Sequence, residues 1–552
     1  MFEVFARMSN EAKRKKEREA KAKRDGVAAD RFAAEQGKLE HELDRFDITV
    51  DERALPGATT ERSDAAPTAT PAAAPVQTAF YRNVAAAELR RAEVKDAFLH
   101  AWNGYVKCAW GHDELRPVSC TSQNQFQMGL TILDSLSTLH VMGLREEFAK
   151  ARQWVAEHLN TTPNINVSVF ETTIRCLGGL LSAFDLSKDR VFLDKARELG
   201  DALLRAFNGN GVPMSFVNLK TGAQSNAGWH SSAVILSEVG TLQLEFLALA
   251  YHTGDAKYAK PVMHVIAALL GNHDASLPEG LYANFLTTDG RFSSSNQHIA
   301  MGALGDSFYE YLLKVWLLTG KRYDRLRQAY ASAVRGVETA MKQTSGDGFV
   351  YISELHGHSP SHRMDHLACF SGGMFALGAA TDAHGSAGSE AADAAQLGRD
   401  VARTCMQMYR MTSTQLPPES VDFVGGKMHT ASGAQYSLQR PETAETLMYL
   451  YRITGDESYR DMGYEILQGI VRHEKVENGF SGVRDVNAVP PPLDDLQQSF
   501  LLAETFKYLY LLYDSSANVP LDKMVFNTEA HPLAVFEEPD RPAIREAMKE
   551  FE

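Results

Sequence analysis

A short segment recurs along the chain, and it limits the possible folds more than any other feature. Thr253-Gly254-Asp255-Ala256-Lys257-Tyr258 reappears as Thr319-Gly320-Lys321-Arg322-Tyr323 and as Thr454-Gly455-Asp456-Glu457-Ser458-Tyr459, with a weaker copy in Ser187-Lys188-Asp189-Arg190-Val191-Phe192. The copies begin at residues 187, 253, 319 and 454, so the first steps are 66 residues and the last is about two such periods. Each follows an apolar run of helical period, such as Leu242-Leu244-Phe246-Leu247-Leu249, and precedes another amphipathic stretch. Gly after a helix and Asp or Ser near the next start are ordinary stop and start signals, so the unit is an α-hairpin with a short turn. Stacked hairpins bury one continuous core, which favours a solenoid or a closed toroid over separate domains. At roughly 150 residues per domain, length alone would suggest three or four. The repeat instead predicts one all-α domain over about residues 81–535, with a tail at 536–552.

The first eighty residues differ from the rest. Glu11 to Asp25 holds eight basic and four acidic residues with almost nothing apolar. Residues 1–54 therefore read as a charged, stem-like segment, helical or disordered, with too little apolar surface to offset the entropy of packing. Residues 55–80 are dense in Ala, Pro and Thr, the composition of a linker. The formal net charge of −14 argues against nucleic acid, whose binders need a basic footprint. No run approaches the roughly 18–20 apolar residues that span a bilayer, and the start lacks a signal-peptide core.

The five cysteines include no CxxC, so structural zinc is not expected, and an odd count leaves at most incomplete pairing. Asn160-Thr161-Thr162 and Asn166-Val167-Ser168 satisfy the N-glycosylation rule and lean toward a secretory compartment. Walker, HExxH, GxSxG and EF-hand patterns are missing, and Gly209-Asn210-Gly211 is not a dinucleotide fingerprint. Of the loop histidines His356, His358, His362 and His366, three read as merely solvated.

The chemical signal is acid on helical faces. Asp306 and Glu310 lie one turn apart, as do Glu442 and Glu445, each pair among apolar residues. Like charges at that spacing are unfavourable on an exposed helix and more so when buried. Glu171 has Arg175 one turn on, Glu245 follows Leu242-Gln243-Leu244, and Glu504 follows Phe500. Singly, each acid suits a helix cap or a salt bridge. Collected at the centre of a toroid, they would need a cation, water or sugar hydroxyls.

From about Lys95 to Pro532 the sequence resembles glycoside hydrolase family 47, the class I α-1,2-mannosidases. The likeness rests on several long motifs. They include His100-Ala101-Trp102-Asn103-Gly104-Tyr105, Trp110-Gly111-His112-Asp113-Glu114-Leu115-Arg116-Pro117, Phe170-Glu171-Thr172-Thr173-Ile174-Arg175 and Gly305-Asp306-Ser307-Phe308-Tyr309-Glu310. His366-Leu367-Ala368-Cys369-Phe370, Arg440-Pro441-Glu442-Thr443, Ser499-Phe500 and Phe526-Asn527-Thr528-Glu529-Ala530-His531-Pro532 follow in order.

The resemblance implies an (αα)7 barrel that hydrolyses terminal α-1,2-linked mannose of oligomannose N-glycans with inversion and with Ca2+. It implies Glu171 and Asp306 on the acid side and Glu442 as general base. Acid and base of an inverting enzyme stand roughly 6.5–9.5 Å apart, which different hairpins can supply. Thr528 matches the calcium-holding residue, through its hydroxyl and carbonyl with waters. Glu245, Glu310, Glu419, Glu445, Glu504 and Glu529 would line that region, and Asp134, Arg175, His366, Arg440 and Phe500 match other pocket residues, Phe500 under the sugar ring. Cys369 and Cys405 match the family disulfide, which would leave Cys108, Cys120 and Cys176 free.

A few positions depart from the pattern or lean within it. Ser137 stands where the family usually has Asp, and Leu304 and Gln497-Gln498 resemble the Golgi-type enzymes, while Tyr436-Ser437-Leu438-Gln439-Arg440 is more similar to the fungal ER enzyme. The family's members are normally membrane-anchored in the secretory pathway. The expected address is therefore that lumen, Golgi rather than ER, with the anchor outside the present sequence and a monomeric catalytic domain. The competing reading is a lectin-like quality-control relative that binds oligomannose glycans with little turnover.

Overall fold

The computed structural model describes residues 74–207, 212–226, 233–287, 290–292, 297–381, 389–515 and 518–552. The charged segment 1–54 lies outside these, as does most of the linker. The first helix already begins at Ala74, inside the stretch 55–80 expected as linker.

Every copy of the repeated turn does the same physical work. The Thr or Ser hydroxyl bonds back to the carbonyl four residues earlier: Thr253 to Leu249 (2.7 Å), Thr319 to Val315 (2.8 Å), Thr454 to Leu450 (2.7 Å) and Ser187 to Ala183 (2.6 Å). The next residue then turns into the left-handed region, with φ of 74° at Gly254, 70° at Gly320, 70° at Gly455 and 59° at Lys188. Asp255, Asp456 and Asp189 accept the backbone N–H two residues on, which starts the following helix. The aromatic that ends each copy, Tyr258, Tyr323, Tyr459 or Phe192, is buried.

These turns join an inner helix to an outer one. The outer helices are α1 (Ala74–Cys108), α3 (Arg145–His158), α5 (Arg190–Leu203), α7 (Ala259–Gly271), α9 (Asp324–Gly336), α11 (Ser389–Arg410) and α13 (Ser458–His473). The inner ones are α2 (Leu130–Val141), α4 (Gly178–Ser187), α6 (Gln243–Thr253), α8 (Asp306–Leu318), α10 (Phe370–Ala380), α12 (Glu442–Thr454) and α14 (Phe506–Tyr513). Each inner helix packs on the next, and the turn leading into α14 packs back on α2, which closes the ring. The toroid is thus an (αα)7 barrel. Inner helices are apolar almost all round because both faces are covered, whereas outer helices such as α5 bury one stripe. Strands are confined to short hairpins and three-stranded ribbons at the helix ends.

One hairpin has a special place. Met524–Phe526 pairs antiparallel with Pro532–Ala534, and its turn touches α4, α6, α8 and α14, helices from four repeats. A segment that reaches so many inner helices lies inside the ring.

Cys369 and Cys405 are bonded, tying the start of α10 to α11 with a Cα–Cα distance of 5.9 Å. Cys108 and Cys120, expected to be free, form a second disulfide, with Cα–Cα 5.1 Å. The hairpin Glu114–Arg116/Thr121–Gln123 folds back on the end of α1 and brings them together. Only Cys176 is left as a thiol, and it is buried. Residues 536–552 pack onto α6, α7 and α9: Phe536, Ile544, Met548 and Phe551 are buried, and Phe536 stacks on Tyr251 at 4.1 Å. Among the described residues no helix is long and apolar enough to cross a membrane.

Candidate active site

The parallel inner helices bring their N-terminal ends to one end of the barrel, and each contributes there. Asp134 lies in α2, Glu171 and Arg175 in the turns before α4, Glu245 in α6, and Asp306 and Glu310 in α8. His366 precedes α10, Glu442 and Glu445 open α12, and Phe500 and Glu504 lead into α14. Helix N-termini favour negative charge, which eases the gathering of so many carboxylates. The backbone is widened to π-helical turns over Thr172–Leu177 and Leu501–Thr505, the two places that aim Arg175 and Glu504.

Arg175 anchors the first group. Its Nε donates to Glu171 Oε2 (2.8 Å), its Nη1 to Glu529, and Asp134 Oδ2 stands 3.7 Å away. Burial opposes its charge, but Glu529, Glu171 and Asp134 together hold the guanidinium firmly protonated. Its carbon lies 5.5 Å from the Phe500 ring centre, a cation–π contact. Ser499 donates to Asp134, and Ser137 lies behind, 3.2 Å from His531 Nδ1.

A second group surrounds Glu442. His366 Nδ1 is 3.0 Å from Glu442 Oε2, and His366 Nε2 meets Tyr409 (3.1 Å) and Thr443 (3.0 Å). Arg440 donates to Glu419 (2.6 Å), closing the rim beside it. Asp306, partly buried, accepts from the backbone N–H of Ser307 (2.9 Å) and lies within electrostatic reach of Glu442. Burial, with Glu310 and Glu442 near, pushes its carboxyl from 3.8 up to about 7. Just before it, Leu304 holds a φ of 80°, a conformation uncommon for a branched residue.

The floor is the most acidic part. Glu245 accepts from Tyr311 (2.7 Å) and Asn527 (2.6 Å) through one oxygen, while its buried Oε2 has no hydrogen-bond partner. Burial raises it to about 7 despite those donors. Glu445 rises to about 8, from burial opposed by Lys314 and reinforced by Glu310 and Glu442. Glu504 and Glu529 are pushed well above the carboxylate range, chiefly by burial, with neighbouring acids adding to it and Arg175 opposing it most at Glu529. Thr528, half-buried, precedes Glu529 on the intruding hairpin, with its N–H 3.5 Å from the Tyr311 hydroxyl that donates to Glu245.

The profile of glycosyl hydrolase family 47 matches residues 97–535. The chain belongs to glycosyl hydrolase family 47. Mannosyl-oligosaccharide 1,2-alpha-mannosidase IB of Homo sapiens is 45% identical over 456 residues, 81% of this chain and 70% of that protein. Mannosyl-oligosaccharide 1,2-alpha-mannosidase MNS1 of Arabidopsis thaliana is 42% identical, across 84% of this chain and 82% of its own. Among solved structures, the alpha-1,2-mannosidase from Trichoderma reesei superposes with a TM-score of 0.74 at 29% identity, covering 81% of this chain and 99% of that one.

In this family 47 enzyme, a glycoside hydrolase, the structure brings all the residues singled out above into one network. Glu504 is within electrostatic reach of Glu529, Glu442 and Glu445, and Asp306 of Glu310 and Glu442, so the three groups are contiguous. Of the loop histidines, His366 lies in the site; the other three are exposed but not merely solvated, since His356 stacks on His298, His358 bonds Ser276 and His362 bonds Tyr351. Sequence reading missed Lys314, a fully buried cation between Glu310 and Glu445. A Lys one turn after a buried Glu was its only signal. Also missed were Tyr409, Ser499, Asn527 and Lys507, whose importance depends on where the ring closes.

Proposed function

We propose that this chain removes terminal α-1,2-linked mannose from oligomannose N-glycans, inverting the anomeric centre and using bound calcium. The observation that supports it most is the arrangement of Glu442, held by His366, in the same acid ring as Asp306 and Glu171, at one end of a barrel whose relatives carry that activity in their names.

Glu442 takes a proton from water, and His366 fixes the carboxylate for that task. On the acid side, Asp306 keeps a proton near neutrality while Glu171, aligned by Arg175, faces the same space. Phe500 offers a ring face to the apolar side of a sugar. Arg440 and Glu419 hold the rim.

The residues fit calcium. Glu245 Oε2 is a buried oxygen without a hydrogen-bond partner, and Arg175 and Lys314, with Lys507 lowered by burial to about 7, are too few to balance the surrounding acids. No three acid, His or Cys side chains among the described residues could chelate a bare ion. Thr528, which matches the family's calcium-holding residue, would hold the ion together with water, in keeping with calcium's preference for hard oxygens. Bound there, the ion would supply Lewis acidity toward sugar hydroxyls and water.

The two disulfides suit an oxidising lumen. Leu304 beside Asp306 supports the Golgi-like preference, and the domain is taken to act as a monomer. The test is digestion of a purified oligomannose glycan with and without chelator, with the released anomer followed by NMR. Calcium-dependent release of β-mannose is expected. Retention of configuration, or glycan binding with no release, overturns the reading.

A further inference from the structure

We propose that Asn527 is the positioning residue that sets the Thr528–Glu529 turn in its binding shape before any ligand arrives. Its side chain is fully buried and uses its whole hydrogen-bonding capacity. Oδ1 accepts from the backbone N–H of Glu529 (3.0 Å) and of His531 (2.8 Å). Nδ2 donates to the carbonyl of Ile174 (2.8 Å) and to Glu245 Oε1 (2.6 Å). One carboxamide thus joins the turn, the π-helical segment that aims Arg175, and the acid at the start of α6.

The chemistry leaves no substitute. Two donors face Oδ1 and two acceptors face Nδ2, so a flipped amide would set like against like. Aspartate has the right size but would turn an oxygen toward a carboxylate and a carbonyl. Leucine would strand all four partners, each costly to bury unpaired.

Two neighbours are shaped for this role. Lys507 Nζ donates to Ala530 O (2.6 Å), steadying the far side of the turn, where Ala530 holds a φ of 56°. Gly178 opens α4 with ordinary helical angles, yet a Cβ there would lie 2.6 Å from Asn527 Nδ2. Helix propensity alone would favour Ala at that position by roughly 1 kcal/mol. The space that glycine leaves is the space the clamp occupies.

The calcium part of this inference rests on the function proposed above, and the test separates the two. Wild-type protein, Asn527→Asp and Gly178→Ala are followed by amide hydrogen exchange in calcium-free buffer and by calorimetric titration with calcium chloride. In the wild type the amides of Glu529 and His531 exchange slowly without calcium. In both variants the 527–531 segment exchanges at least ~10-fold faster, and the calcium midpoint weakens by roughly 10–100-fold, the usual effect of losing an outer-shell partner. A merely structural asparagine would lower the melting temperature while leaving the calcium midpoint in place, and that result overturns the proposal. Fast exchange of the two amides in the calcium-free wild type overturns it as well, whatever the variants do. If the wild type takes no calcium at all, the calcium reading fails on its own and the exchange data still decide the clamp. If Asn527→Asp does not fold, Gly178→Ala carries the same comparison.

Discussion

Glu442 and Asp306 illustrate what a residue can reveal before a structure exists. Both stood out as members of one-turn acid pairs amid apolar sequence, an arrangement that is unfavourable without a function. The structure adds their partners. His366 reaches Glu442 from a different repeat, 76 residues away, and nothing local in the chain announces that contact. Replacing Glu442 with Gln keeps its shape and removes the proposed base, so kcat is expected to fall by about 10²–10⁴ with KM little changed, as read from initial rates on an oligomannose substrate. If Asp306 is the proton donor proposed above, it is expected to set the pH dependence. With its carboxyl at about 7, the protonated form that the acid side needs is lost as pH rises through that value, and kcat/KM should fall with it. Asp306→Asn is expected to be slow and to lack that limb; a limb unchanged in the variant would assign it elsewhere. The same shift has a stability sign. Between about 4 and 7 the folded state binds the proton that the unfolded chain releases, so this contribution is full at low pH and is lost as pH rises through 7.

At the scale of elements, the repeated turn was the most legible part of the chain because each of its positions answers a separate local demand. The hydroxyl ends a helix, the glycine turns left-handed, the aspartate starts the next helix, and the aromatic anchors it. Around Gly254 nothing lies within 4 Å of where a Cβ would stand, so its requirement is conformational, not steric. Gly254→Ala should therefore cost roughly 1–2 kcal/mol, the usual strain of a left-handed L-residue. Tyr258 is buried, and its hydroxyl bonds Asp201 at 2.9 Å. Tyr258→Ala should cost about 3–5 kcal/mol, read from urea unfolding. Near-equal losses at the two sites would contradict this division of labour. The weak copy makes the same turn with Lys188, which explains why it was hard to see: geometry repeats where identity does not. The Cys108–Cys120 bond was illegible for the opposite reason. It depends on a hairpin of two three-residue strands folding back on α1, and such short strands leave no periodicity to read.

At the scale of the whole molecule, a closed ring must be sealed outside its repeats, and here sequence periodicity is silent. The stretch after residue 535 has none of the repeat's signature and reads as a tail, and the family match also stops at 535. Yet Phe536, Ile544, Met548 and Phe551 are buried against α6, α7 and α9, and Arg541 stacks its guanidinium on Tyr251 at 4.2 Å. Burying four such side chains is worth roughly 1.5–3 kcal/mol each, as an upper estimate. The sum is of the order of a domain's entire net stability. Removing residues 536–552 should therefore do more than trim a surface. It uncovers apolar faces on an inner helix and two outer helices, and an inner helix that shifts takes its acid with it, since Glu245 opens α6. The expected outcome is a truncated protein that is largely insoluble or melts at least ~10 °C lower, with mannose release lost in proportion. A truncated chain that melts with the full-length protein and keeps its activity would show that the ring is already sealed without this segment.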